Sequence, residues 1–227
     1  MPVLNILKKV PIFSDLKEKD LKKMESILKG KTYGKGDHIF SESDEGDEFY
    51  IVDDGLIKIY KMSTDGQVKA LDYLKKGDFF GEMALLDKNP RSANALAMEN
   101  ANLFIIKYSD FRQFLISQPE ILLTITQTLC KRLRKTDMEI EMFSFKKVKD
   151  RLVLCLVHLA EKYGKERDDG IEILMGITHQ DLSEFVGTAR EVISRQLKEL
   201  DSEGLIKKDG RGLIIPSISK LRKKLYE

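Results

Sequence analysis

Cysteine is scarce in this sequence, with only Cys130 and Cys155 among 227 residues. An iron–sulfur sensor needs about four thiolates, so that class is excluded. Each cysteine sits in an apolar, helical stretch, and both are expected to be reduced core thiols rather than a disulfide or a metal site. His158 lies one helical turn from Cys155, but no third ligand or orienting acid stands at motif spacing beside them. Long apolar runs are also missing. The longest, about Leu152 to Ala160, contains His158 and falls well short of the ~20 residues of a membrane-spanning helix. Lys8 and Lys9 cut the short apolar stretch at the amino terminus, so a signal-peptide pattern is lacking and a cytoplasmic location without membrane contact is expected. Paired carboxylates, a nucleophile triad and a metal cluster are all absent at catalytic spacing, which argues against an enzyme and against a metal site.

The residues present are those of a globular chain, 42% hydrophobic and 33% charged, and the length suits two small domains. A net charge of +2 conceals an asymmetry. Residues 146–227 carry 17 Lys and Arg against 14 Asp and Glu, a balance that agrees with nucleic-acid binding without establishing it. Glycines at 36, 46, 55, 66 and 77 separate short β-branched and aromatic segments such as Phe49–Val52 and Leu56–Tyr60, a spacing that predicts a β-sandwich or β-roll. Asp65–Gly66 is the best hairpin turn among them, and Leu16, Leu21, Met24 and Leu28 predict a helix before the roll. Between Gly81 and Gly164 there is no glycine at all, which marks a change to helical architecture.

In that glycine-free stretch Ser109 can cap a short helix and Pro119 suits the first turn of a long one. From there Leu122, Ile125, Leu129, Leu133, Thr136, Ile140 and Phe143 recur at steps of three and four. Such a stripe either seams two copies of the chain or packs on its own β-roll; the length of the helix and the polar Thr136 favour a homodimer. A second amphipathic helix over about 147–163 leads into Gly164 to Gly170, which reads as a polar loop.

The carboxy-terminal segment is densely signposted. Thr178 to Asp181 and Thr188 to Glu191 each have the form of a capping box, placing two helix starts ten residues apart with the turn Val186–Gly187 between them. After Gly204, Leu205 to Ile215 reads as a two-stranded wing with Lys208 and Arg211 at and beside its tip. The second helix presents Arg190, Glu191 and Arg195 in its first two turns, where a recognition helix meets base edges. Arginine suits guanine and glutamate suits cytosine. The bland alternative is that Glu191 caps the helix and pairs with Arg195. A dimer of such modules would bind an inverted repeat in double-stranded DNA, with half-sites about 34 Å apart.

Phe80 to Ala93 is the most informative string. Gly81 opens a short helix whose first N–H groups are free for an anion, and Arg91 with Ser92 adds a charged fork and a hydroxyl. Glu82 disfavours a phosphate and suits a sugar hydroxyl, so the set fits a ribose joined to a phosphate. This string resembles the phosphate-binding cassette of cyclic-nucleotide-binding domains. Together with Val10–Phe13, the roll glycines, the long helix and Val186–Arg195, the chain resembles the cyclic AMP receptor protein and fumarate–nitrate regulator family of bacterial transcription factors over nearly its whole length. The resemblance implies an α+β fold: a cyclic-nucleotide-binding β-roll (jelly roll) over 1–118, a dimerisation helix over 119–145 and a winged helix-turn-helix over 146–227. It implies that Gly81, Glu82, Met83 and Ala84 surround the ribose and phosphate and that Arg91 and Ser92 hold the cyclic phosphate. Thr136 stands where the family meets adenine, with Asp137 in place of a serine. DNA contacts would come from Thr178, Thr188, Arg190, Glu191, Arg195, Lys208 and Arg211. The implied effector is a cyclic nucleotide, cyclic AMP first, and the implied partners are DNA, a second copy of the chain and RNA polymerase, with no bound cofactor.

Overall fold

The computed structural model describes residues 7, 8, 10, 13, 16–173, 177–209 and 212–226. Of the expected helix approach Val10–Phe13, Pro11 and Ile12 lie outside the described residues, as does Arg211. The chain divides into two compact units, Met1–Leu133 and Arg134–Glu227.

In the first unit, α1 (Glu18–Ile27) precedes eight strands: β1 (Lys29–Tyr33), β2 (His38–Phe40), β3 (Glu48–Asp54), β4 (Ile57–Met62), β5 (Val68–Leu74), β6 (Phe79–Phe80), β7 (Asn94–Ala97) and β8 (Ala101–Lys107). They form two four-stranded antiparallel sheets, ordered β1-β8-β3-β6 and β2-β7-β4-β5. The reason is legible in β3, whose side chains alternate between two cores. Tyr50 and Val52 join Ile57, Leu74, Ala95 and Leu103 between the sheets, while Phe49 and Ile51 face Leu21, Met24, Phe111, Ile121 and Ile125 of the flanking helices. A strand buried on both faces reads as an unbroken apolar run, as Phe49–Val52 does. Gly66, at φ +84°, turns the β4–β5 hairpin at the expected place. Strands β7 and β8, however, lie inside the glycine-free stretch, so the change to helices comes at Tyr108 and not at Gly81.

Helix α2 (Glu82–Asp87) lies within the roll, α3 (Tyr108–Ser117) follows β8, and the long α4 (Pro119–Phe145) begins at Pro119 as its sequence predicts. Ser109 does not cap α3: the N-cap is Lys107, because β8 runs straight into the helix and the Tyr108 N–H donates to Asp47 O at 2.7 Å. The stripe along α4 divides. Ile125 and Leu129 pack against the roll's own core with Ile121, whereas Leu122, Leu133 and Ile140 are exposed. Cys155 is buried, but Cys130 is exposed and not a core thiol, since it faces away from the packed side of α4.

The second unit contains α5 (Val148–Tyr163), α6 (His179–Val186), α7 (Arg190–Ser202), the short α8 (Ile218–Lys223) and a sheet ordered β11-β12-β10-β9. Here β9 (Gly164–Arg167) and β10 (Gly170–Ile173) form a hairpin where a loop is expected; the charged, exposed residues of β9 hide the strand signal, and the pairing of β10 with β12 (Gly212–Ile215) supplies the missing support. The wing strand β11 (Lys207–Asp209) completes the sheet. Among the described residues no helix is long and apolar enough to cross a membrane.

Candidate functional site

The cassette is built around Arg91. Its guanidinium donates to Gly81 O and Glu48 O, each at 2.8 Å, and stacks over the Phe40 ring at 4.4 Å. The side chain is buried, which pulls its pKa below the usual arginine value. Its Nε is buried with no hydrogen-bond partner among the described residues. An orphan donor on a buried cation is a cost unless an acceptor arrives, and an anion is the acceptor that suits it. Tyr50 lies beside the same guanidinium, 5.6 Å from its ring centroid: it stacks on Phe80 with centroids 5.0 Å apart and donates its hydroxyl to Glu48 at 2.7 Å. Burial, then the hydrogen bond to Glu48, holds the Tyr50 pKa above its ordinary value.

Gly81 adopts φ +80°, a left-handed conformation that favours glycine, and starts α2 without a side-chain cap. Ala84 is buried beside it, while Met83 and Ser92 are exposed, with the Ser92 hydroxyl 3.5 Å from Met83 Sδ. Glu82 is buried and already paired: Arg132 of α4 donates through Nη1 to Glu82 Oε1 at 2.5 Å and through Nη2 to Phe79 O at 2.6 Å. Gly81, Glu82, Ala84 and Arg91 are therefore neighbours in the fold. Thr136 and Asp137 lie further along α4, in the second compact unit, both exposed.

Two participants escape the sequence. Arg132 stands one helical turn before Thr136 on α4, and that position is the only signal it carries. Gly46 lies in the β2–β3 loop, where an added Cβ would come within 2.8 Å of the Arg91 guanidinium carbon and 2.6 Å of Ala84 Cβ. The roll glycines mark it as a turn residue; its closeness to Arg91 emerges only from the fold.

In the second unit α6 and α7 form the helix-turn-helix. Thr178 caps α6 in a full capping box: Asp181 N–H donates to its hydroxyl oxygen at 3.1 Å, and Thr178 N–H donates to the Asp181 carboxylate at 2.9 Å. Its hydroxyl also donates to that carboxylate, at 2.6 Å, so it is spent on the helix start. The second expected box does not form. Gly187, at φ +71°, ends α6, and its N–H and that of Thr188 both donate to Ser183 O. Thr188 thus belongs to the end of the first helix; Ala189 is the N-cap of α7, with no side-chain cap, and the two helices start eleven residues apart, at His179 and Arg190.

Helix α7 turns Ile193, Leu197 and Leu200 fully inward and exposes Arg190, Glu191 and Arg195 on its outer face. Glu191 neither caps the helix nor forms an ion pair with Arg195 among the described residues. Lys208 is exposed on the wing strand. Arg167 of β9 holds that strand through Asp209 at 2.7 Å and reaches Glu172 at 3.3 Å. The turn between the helices is covered from α4: a Cβ on Gly187 would meet the Phe143 ring at 2.8 Å, and the Arg151 guanidinium lies 4.8 Å from that ring's centroid. Phe143 therefore serves the motif in its own unit.

Residues 30–118 match the family described as "Cyclic nucleotide-binding domain", and residues 150–224 match the "Crp-like helix-turn-helix domain". The chain is 30% identical to the "Cyclic AMP receptor protein" of Thermus thermophilus over 201 residues, 88% of this chain and 90% of that protein. It is 32% identical to the "Anaerobic regulatory protein" of Bacillus subtilis over 214 residues, 93% of this chain and 90% of the relative. Among solved structures, the c-di-GMP responsive global regulator CLP of Xanthomonas campestris aligns with a TM-score of 0.76 at 25% identity, covering 88% of this chain and 99% of that one.

Proposed function

From the premise that this chain belongs to the cyclic AMP receptor protein and fumarate–nitrate regulator family, we propose that it works as a homodimeric, cytoplasmic, sequence-specific regulator gated by a cyclic nucleotide. It is a transcription regulator with a cyclic-nucleotide-binding domain and a helix-turn-helix. Cyclic AMP is the effector to test first, inverted-repeat DNA the target, and RNA polymerase the further partner. A binding role, not catalysis, is what the cassette offers. The observation that carries the reading is Arg91, a buried cation whose Nε lacks a partner among the described residues and which sits against Gly81, at the start of α2. A cyclic phosphate would take up that donor and compete with the two carbonyls for the rest of the fork, while Glu82 would exchange part of its bond with Arg132 for a ribose hydroxyl. Gating then requires that the DNA-binding and idle states differ in nucleotide affinity.

A second reading has its own support. Glu82 already holds Arg132 and Arg91 already holds two carbonyls, so the cassette is close to self-satisfied and suits a regulator that acts without a ligand. Relatives also differ in their effectors, one being a cyclic AMP receptor and another responsive to c-di-GMP. Calorimetric titration with cyclic AMP, cyclic GMP and c-di-GMP, on the parent and on Arg91→Ala, separates the readings. Gating predicts binding of one nucleotide, lost in Arg91→Ala, together with a nucleotide-dependent rise in DNA affinity. No heat from any of the three, with DNA bound equally in their presence and absence, selects the ligand-free reading.

A further inference from the structure

His179 opens α6 but takes no part in the capping box beside it. Its Nδ1 lies 2.8 Å from Ser194 Oγ on α7, which fixes the ring between the two helices of the motif. With Nδ1 engaged, Nε2 is left without a hydrogen bond among the described residues. The ring is half-buried, and the charged groups that act on it are Lys208 of the wing strand β11 and Arg190 of α7. On its own helix the first-turn acid, Asp181, is buried and spends its carboxylate on Thr178. His179 and Lys208 line one cavity between α6 and the wing, Arg190 acts on the ring from the start of α7, and among the described residues neither Lys208 nor Arg190 forms an ion pair with an acid. Burial first, and then Lys208 and Arg190, hold the His179 pKa below the ordinary histidine value, so the free protein keeps the ring neutral near pH 7.

We propose that His179 and Lys208, flanked by Arg190, form a seat for one backbone phosphate of DNA, and that His179 takes up a proton as the seat is filled. The proposal rests on the DNA-binding reading above and adds a pH dependence to it. A phosphate placed among these groups reverses the local field: the two cations disfavour an imidazolium, whereas the phosphodiester favours it. The proton therefore arrives from solvent onto the ring, Nε2–H donates to a phosphate oxygen, and no covalent bond changes. By linkage, the extra affinity is fully present at a pH below the pKa of the free protein and is lost above the raised pKa of the complex. Between the two, a single proton gives at most about tenfold in affinity per pH unit. Of the chain's other two histidines, His38 belongs to β2 in the roll and His158 stacks on Phe185 at 6.1 Å, so neither offers a second imidazole at this seat.

The test is fluorescence anisotropy of the full-length protein on a labelled mixed-sequence duplex, with and without cyclic AMP, from about pH 8 to about pH 6. Ionic strength must be fixed, because phosphate contacts are salt-dependent. The parent is expected to gain roughly three- to tenfold in affinity toward the acid end. His179→Gln should hold the weak alkaline affinity across the range, and His179→Lys should bind tightly with a flat profile, with circular dichroism melts verifying that both are folded. A flat parent profile, or a slope that survives in His179→Gln, overturns the phosphate seat while leaving DNA binding intact. A parent that binds no duplex at any pH overturns the DNA-binding reading itself, and the seat with it.

Discussion

A guanidinium kept out of water must be compensated, and at Arg91 the compensation comes from two carbonyl oxygens and the face of Phe40. Gly46 leaves room for that arrangement. Gly46→Ala should crowd Arg91 and Ala84, cost about 1–3 kcal/mol by overpacking and weaken nucleotide binding, as thermal melts and calorimetric titration can measure. The neighbouring pair is more exacting. Arg132→Met should cost about 3–5 kcal/mol by stranding the Glu82 carboxylate, and Glu82→Gln in the same chain should restore most of the loss in urea denaturation. Arg91 and Glu82 are legible in the sequence because their neighbours form one contiguous string. Arg132 is not, because fifty residues separate it from Glu82 and only the packing of Ile121, Ile125 and Leu129 on the roll brings it there.

The helix starts show how an element's signals compete. Thr178 and Thr188 carry the same local pattern, yet only Thr178 caps, since the αL turn at Gly187 commits the Thr188 N–H to Ser183 of the preceding helix. Thr178→Val should therefore cost about 0.5–2 kcal/mol, whereas Thr188→Val should be nearly neutral, a contrast that chemical denaturation can read. Strand β3 is legible because both of its faces are apolar, so its composition announces it. The β9–β10 hairpin is not, because Gly164–Arg167 is exposed throughout and owes its extended form to pairing with β10, which pairs in turn with the wing. A pattern that depends on hydrogen bonds to a distant strand leaves little trace in hydrophobic periodicity.

At the scale of the whole molecule, α4 carries two apolar faces with different duties. Ile121, Ile125 and Leu129 complete the core of the roll, whereas Leu122 and Leu133, about three turns apart on one side, are 45% and 63% exposed, more than a solitary helix in water needs to show. A second copy of the chain is the occupant expected there. Leu133→Glu should then give folded monomers by sedimentation, while Leu129→Glu should destabilise the roll itself, because it buries a charge against a core without a partner. Oligomeric state and folding are thus separable by substitutions one helical turn apart. The chain also has seven tyrosines and no tryptophan, which leaves its ultraviolet emission to phenol rings. Tyr50 is held between the Phe80 ring and the Arg91 guanidinium, 5.6 Å from its centroid, with its hydroxyl on a carboxylate. Any anion that draws Arg91 away changes the surroundings of that one chromophore, so occupancy of the cassette has an intrinsic optical readout, label-free and silenced by Tyr50→Phe.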